Sequence, residues 1–256
     1  MTIDVIVPSK RISRFFSRKA GTYREHARFQ RVALDRLAQL LRPRLGQDAS
    51  VVDVGCGIGL LPEMLGKSGM RITGIDVAFA ALRSFSLTGR QAVCADMDRL
   101  PLRPAVFNAA VLASTLQWSA DPAGLLRSVH GIVRPGGLLA FSCFTTGTLA
   151  EFITARDKVA GISSAAFIDM TQLKRLLAGS GFAITTIEII HRRYFYTTAA
   201  AAVRSLSSIG ATAHDGERLG RSGIAALYEE YERRFRTADG VPVSYEAAVG
   251  MGEKAP

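Results

Sequence analysis

The stretch Ser50-Val51-Val52-Asp53-Val54-Gly55-Cys56-Gly57-Ile58-Gly59 decides the fold. A β-branched run meets an acid, three glycines follow at alternate positions, and Leu60-Leu61-Pro62-Glu63-Met64-Leu65 continues with helical texture. That order predicts a buried parallel strand over 51–54, a tight turn and a helix over 60–68. Glycines in such a turn let the backbone pass close to a ligand, and the helix start offers N–H groups without intrahelical partners. The spacing is G-x-G-x-G, whereas turns that seat a dinucleotide pyrophosphate on the helix read G-x-G-x-x-G. Asp53, two residues before Gly55, would repel a phosphate and suits a ligand bearing a cation or an amino group. S-adenosylmethionine, a sulfonium that also carries an ammonium, is therefore expected here over NAD.

Outward from this turn the chain alternates strands with helices. Residues 71–76 form a second strand ending in Asp76, 79–86 a helix, and 91–96 a third strand ending in Asp96. After the loop 100–104 come an apolar fourth strand at 107–113 and a helix at 122–133. Arg134-Pro135-Gly136-Gly137 reads as a turn into a fifth strand at 138–143. This alternation predicts an α/β fold, a parallel sheet with helices on both faces. Upstream, 10–45 reads as helical: a basic amphipathic stretch at 10–19, then Phe29, Val32, Ala33, Leu37, Leu40 and Leu41 at helical spacing, stopped by Pro43. Downstream come a helix at 171–178, a long strand at 182–195, helices at 198–209 and 224–235, and a last strand at 241–249. The expectation is one domain over 1–256, with 10–45 as an N-terminal helical lid and 197–236 as a cap insertion over the ligand edge.

At 256 residues and 48% hydrophobic content the chain can bury a sizeable core. No apolar run approaches the roughly 18–20 residues of a membrane span, and residues 1–10 show no signal-peptide pattern. Three scattered cysteines, Cys56, Cys94 and Cys143, read as reduced thiols of a cytoplasmic protein. The net charge of +10 favours an acidic partner, with an arginine-rich surface as the plain alternative. Nucleic acid is disfavoured, because no aromatic residues interleave the basic ones as stacking platforms would. The four histidines show no metal spacing.

In open α/β sheets ligands bind beyond the carboxyl ends of the strands. Asp53, Asp76 and Asp96 stand at or near three such ends and are expected to converge on one edge. Asp53 favours the amino-acid end of the ligand above Gly55, Cys56, Gly57 and Gly59. Asp76, followed by Val77, can accept from both ribose hydroxyls, and Asp96 from the adenine amino group, with Met97 beside the ring. A single strand-end acid alone would read as a turn or capping residue.

With these motifs the sequence resembles the class I methyltransferases, which implies a seven-stranded sheet of order 3-2-1-4-5-7-6 with strand seven antiparallel. A narrower resemblance, to the biotin-pathway malonyl-acyl-carrier-protein O-methyltransferases, covers nearly the whole chain. Residues 16–30 look like that family's F-x-R-x-A-x-x-Y-x-x-x-A-x-x-Q opening. Asp96-Met97-Asp98-Arg99-Leu100-Pro101 and Leu116-Gln117-Trp118 resemble its D-M-x-x-L-P and x-Q-W elements. Residues 141–151, 204–212 and 240–246 resemble its later segments. Where that family carries H-x-N-x-F this chain has Ser163-Ser164-Ala165-Ala166-Phe167, so only the Phe is kept. Asn108 stands at the usual Asp of the fourth strand, and Ser207 at a usual Lys.

The resemblance implies methyl transfer from S-adenosylmethionine, with S-adenosylhomocysteine as product, to the carboxylate of a malonyl unit. The thioester is carried by an acidic acyl-carrier protein or by CoA. Such a carboxylate is ionised at neutral pH and needs no general base, so no catalytic acid–base pair is expected. Tyr23 and Gln30 are expected at the methionine end of the cofactor. Trp118, Phe167 and Arg204 are expected at the substrate, Arg204 as the carboxylate clamp. A related enzyme acting on another small acid, and a non-catalytic partner subunit, remain the alternatives.

Overall fold

In the computed structural model, residues 13, 14, 16–18, 24, 27–66, 69–162, 167–207 and 219–256 are described. Seven strands form one sheet: β1 Ser50–Val54, β2 Arg71–Asp76, β3 Gln91–Cys94, β4 Phe107–Ala113, β5 Val133–Phe144, β6 Phe182–Tyr196 and β7 Val241–Lys254. Their order is β3-β2-β1-β4-β5-β7-β6, the order expected. Strands β1 to β5 pair in parallel, and β7 runs antiparallel between β5 and β6. All five residues of β1 are buried, as a central strand covered on both faces requires. Asn108, at the family's usual Asp, accepts the Ser50 N–H at 2.9 Å through its side-chain oxygen and so ties β4 to β1.

The helices are α1 Arg28–Leu41, α2 Leu60–Leu65, α3 Phe79–Ser86, α4 Pro122–Ile132, α5 Ala150–Ala160, α6 Met170–Ala178, α7 Ala199–Ser207 and α8 Arg221–Phe235. Two clusters line the opposite faces of the sheet. Ala33, Leu37 and Leu41 of α1 join Leu61 and Leu65 of α2 and Phe85 of α3 on one face. Leu125, Leu126 and Val129 of α4 join Leu173 and Leu177 of α6 on the other. Each fully buried leucine contributes about 1.5–3 kcal/mol. A third cluster gathers Phe152, Ala199, Leu206, Leu227 and Tyr231 against Val241, Val243 and Tyr245, so α5, α7 and α8 pack on the β6–β7 end of the sheet.

Several expectations need correction. Helix α1 packs in the core against the sheet, and it also reaches the ligand edge through Gln30 and Leu34. Arg134-Pro135-Gly136-Gly137 does not interrupt the chain before β5 but runs within it, with Gly136 at φ +68°. Strand β3 ends at Cys94, two residues earlier than expected, and β7 continues to Lys254, five residues further. Helix α5 was not expected.

Register explains why a ligand edge exists. Phe144, at the carboxyl end of β5, pairs with Ala247, and Ala247 pairs with Ile190. Residues 241–246 and 191–196 therefore project beyond β5 as a two-stranded ribbon beside the strand ends.

Candidate functional site

At the carboxyl ends of β1, β2 and β4 lies a cavity of about 1110 Å³ of open space. Its floor is the glycine turn. Gly55 N–H and Cys56 N–H both donate to the Ile75 carbonyl, at 2.7 and 3.0 Å, which pins the turn to β2. Gly55 sits at φ +75°, where a Cβ would meet Thr115 Oγ1 at 2.4 Å, so only glycine fits beneath the loop that follows β4. Gly57 sits at φ +52° with open space where a Cβ would stand. Its backbone is thus bare towards the cavity.

Asp76 closes the turn from the neighbouring strand. Its Oδ2 accepts the Gly57 N–H at 2.8 Å and its Oδ1 accepts the Ala78 N–H at 2.7 Å. Each oxygen keeps a lone pair for a hydroxyl of a ligand. Burial raises the Asp76 carboxyl pKa, and the N–H bonds from Ala78, Gly57 and Val77 pull it back down.

Asp53 is 2% exposed and pairs along the sheet with Gly74 and Val111, neither of which can compensate a charge. Burial, with Asp76 adding like-charge repulsion, pushes its pKa up to about 8. Its Oδ1 has no hydrogen-bond partner. Two further buried side-chain oxygens on the cavity wall share that condition: Oε1 of Gln30 and Oε1 of Gln117. Gln117 Nε2 donates to the Ser114 carbonyl at 2.9 Å, which fixes the orientation of the amide.

Three unpaired acceptors, one an acid, around a single cavity form a site that fits a ligand rich in N–H donors and positive charge. The ammonium and sulfonium of S-adenosylmethionine meet that requirement, whereas a pyrophosphate does not. Apolar and aromatic side chains share the wall: Phe16, Met97, Trp118 and Phe144 line the same cavity. Phe16 meets the Trp118 ring edge-on at 5.5 Å and 87°. Ser13 Oγ donates to the Val77 carbonyl at 2.9 Å, so the described residues before α1 lie over the edge of β2.

Of the residues expected from sequence, the cavity brings together Gln30, Asp53, Gly55, Cys56, Gly57, Asp76, Val77, Met97 and Trp118. The Cys56 thiol, buried beside Asp53 and Asp76, is pushed far above its ordinary pKa and acts as a small filler. Gly59 starts α2 at φ +88° and does not line the cavity. Neither does Asp96, whose side chain caps a short 3-10 turn by accepting the Asp98 N–H at 3.1 Å. Phe167 stands one layer back, edge-on to Phe144 at 5.9 Å. Arg204 lies on an exposed position of α7, away from the cavity wall. Tyr23 and 163–166 lie outside the described residues.

Sequence reasoning missed Phe16, Ser114, Thr115, Gln117 and Phe144 as wall residues. Gln117 had a signal in its place after the fourth strand, beside the only tryptophan. Ser114 has a positive φ of 54° and is held by its N–H to Ser142, a strained backbone at the site that sequence does not reveal. Among the described residues no group of His, Cys, Asp or Glu could hold a metal, and no helix is long and apolar enough to cross a membrane.

The family described as "Methyltransferase domain" matches residues 52–141, the span from the glycine turn to β5. A malonyl-[acyl-carrier protein] O-methyltransferase of Pseudescherichia vulneris is 32% identical over 81% of this chain and 82% of its own length. The protein of the same description from Serratia marcescens is 30% identical over 96% of each chain. Among solved structures, the YcgJ protein of Bacillus subtilis superposes with a TM-score of 0.62 at 12% identity, covering 86% of this chain and 99% of that one. At that identity it shares the fold and nothing finer.

Proposed function

The chain belongs to the family of malonyl-[acyl-carrier protein] O-methyltransferases, and from that premise we propose that it methylates the free carboxylate of a malonyl unit borne on an acyl-carrier protein. It is an S-adenosylmethionine-dependent O-methyltransferase. The product is a malonyl methyl ester whose masked charge suits chain extension towards the pimeloyl part of biotin. The observation that carries the reading is the match over nearly the full length, because it includes the β6–β7 ribbon and the helices packed on it.

The cavity supports the same reading in its two halves. Asp53, Gln30 and Gln117 would hold the donor-rich methionine end, the bare backbone at Gly57 would follow the chain of the ligand, and Asp76 would hold the ribose. When bound, S-adenosylmethionine supplies a methyl carbon made electrophilic by the adjacent sulfonium. An acceptor carboxylate oxygen would take that methyl in line, a C–O bond forming as the C–S bond breaks and the bonding pair leaving with the sulfur. No proton moves. The work of this chain is to align the oxygen, exclude water with Phe16, Trp118 and Phe144, and strip the carboxylate of its hydration.

The test is incubation with methyl-labelled S-adenosylmethionine and, in parallel, malonyl-acyl-carrier protein, malonyl-CoA and free small diacids. Label is expected on the malonyl-carrier protein. Label confined to another acid would overturn the acceptor and favour a related enzyme, the reading towards which the missing H-x-N-x-F points.

A further inference from the structure

The projecting ribbon carries charge that the cavity does not use. Arg28, at the first position of α1, lays its guanidinium over the Tyr194 ring with Cζ 4.6 Å from the ring centre. Arg192, two residues before Tyr194 on β6, is exposed and donates to the His191 carbonyl at 2.8 Å. Both cations act on the same phenol, each lowering the pKa that burial raises. Among the described residues neither has a carboxylate within 4 Å, whereas Arg24 is held by Glu63 and Arg36 by Glu188.

The pair is not remote from the site. The Tyr194 ring lies 5.7 Å from Tyr245, Tyr245 lies 6.5 Å from Phe144, and Phe29, next to Arg28, stacks on both Tyr245 and Phe144. Phe144 lines the cavity. Buried rings packed on one another, Phe29 and Tyr245, therefore link Phe144 on the cavity wall to a surface marked by two arginines. The adjoining Arg193 stays half-exposed, 3.8 Å from the buried Glu151.

We propose that the face formed by Arg28, Tyr194 and Arg192, beside the strand ends that border the cavity, is where an acidic carrier protein docks. The proposal rests on the carrier-protein reading given above and deepens it by assigning the surface. Two cations with no nearby carboxylate keep their field for a partner, and a chain of net charge +10 draws acidic proteins towards itself. A cation pair on the ribbon also discourages β6, an edge strand, from pairing with another strand.

The test uses the full chain with Arg28→Glu and Arg192→Glu together, the charge-keeping pair Arg28→Lys and Arg192→Lys, and two acceptors. One acceptor is malonyl-acyl-carrier protein. The other is malonyl-N-acetylcysteamine, a thioester whose short arm is uncharged. Carrier affinity is read directly by fluorescence anisotropy of labelled carrier at low salt, and methylation is read separately on each acceptor. The reversal pair is expected to weaken carrier binding about tenfold or more, with turnover of the small thioester within about twofold and the lysine pair close to the parent. Unchanged carrier affinity in the reversal pair overturns the proposal, as does an equal loss on both acceptors, which would place these residues in acceptor binding within the cavity. Carrier binding that depends on these arginines, without methylation of any malonyl thioester, supports the docking face and refutes the proposed acceptor instead.

Discussion

Asp76 Oδ2 accepts the Gly57 N–H at 2.8 Å, so the acid ending β2 holds shut the glycine turn that follows β1. The same carboxylate accepts the Ala78 N–H at 2.7 Å. Two backbone donors at the cavity floor thus depend on one side chain. Asp76→Ala leaves both N–H groups without that acceptor, and hydrogen bonds to a charged group are each worth about 1.5–3 kcal/mol. The expected outcome is a ten- to hundredfold weaker affinity, in order of magnitude, for S-adenosylhomocysteine by calorimetry. Methylthioadenosine, which also carries the ribose, should weaken in parallel. An unchanged affinity would mean that the turn is held by its bonds to Ile75 alone.

Asp53 sets a pH dependence whose sign follows from its pKa. Burial raises it from 3.8 to about 8, so the folded protein binds this proton more tightly than the unfolded chain. The stability associated with the protonated form is full below the unfolded value and is lost as pH rises through about 8. The ligand-free protein should therefore melt at progressively lower temperature from about pH 5 to about pH 8.5, and Asp53→Asn should flatten that trend. An ammonium ligand reverses the preference. Binding S-adenosylhomocysteine at pH 7 should release a proton, seen as a dependence of the calorimetric heat on buffer ionisation enthalpy. Asp53→Asn should abolish that release while leaving methylthioadenosine, which lacks the amino-acid end, bound as before.

Phe16 and Trp118 meet edge-on across the cavity mouth, with Ser13 anchored to Val77 on the same side. An edge-on aromatic pair is worth about 0.5–1.5 kcal/mol beyond its buried area. Phe16→Ala should speed release of S-adenosylhomocysteine about two- to tenfold in stopped-flow measurements. The melting temperature should hardly move, because Phe16 stands on the rim. A large drop in melting temperature with an unchanged release rate would assign the residue to the core instead.

The glycine-turn side of the cavity was legible because its residues follow strand ends in sequence. Asp53 and Asp76 terminate β-branched or apolar runs, and the turn between β1 and α2 is local. The wall at Phe144 depends on register between distant strands. Phe144 faces the cavity only because β5 runs through Arg134–Gly137 and beyond Cys143, a length hidden by two glycines and a proline that read as a turn. Helix α5 was hidden because its N-cap is Leu149 at φ +57°, with no capping side chain, and because the buried Glu151 breaks its apolar face. That glutamate accepts Ser244 Oγ–H at 2.5 Å and Ser244 N–H at 3.1 Å, a partnership that a one-dimensional reading cannot supply. Asp96 follows the end of β3 between Ala95 and Met97 of the cavity wall, and its Oδ1 caps a 3-10 turn, a local role that the strand-end series does not reveal.

The underestimated length of β7 leads to a last prediction. The sequence reading ends the last strand at 249, yet Gly250 and Gly252 both lie inside β7, paired with Phe141 and Leu139 of β5. Glycine is required at 250 by contact, because a Cβ there would stand 2.5 Å from Phe141 Cζ and 2.6 Å from the Thr186 carbonyl. Phe141 is fully buried, so its ring has nowhere to retreat. Gly250→Ala should destabilise by about 1–3 kcal/mol through overpacking, which corresponds to a fall of roughly 2–12 °C in melting temperature at this size. Adding Phe141→Leu removes the ring but not the carbonyl contact, so the double variant should recover only part of the loss relative to Phe141→Leu alone. Affinity for S-adenosylhomocysteine should stay unchanged in Gly250→Ala, because residue 250 lies three pairs along β7 from Ala247, away from the strand ends that border the cavity. A variant that melts like the parent would show that β5 and β7 can separate enough to admit a methyl group, and the close pairing that carries the ribbon beyond β5 would then not be rigid.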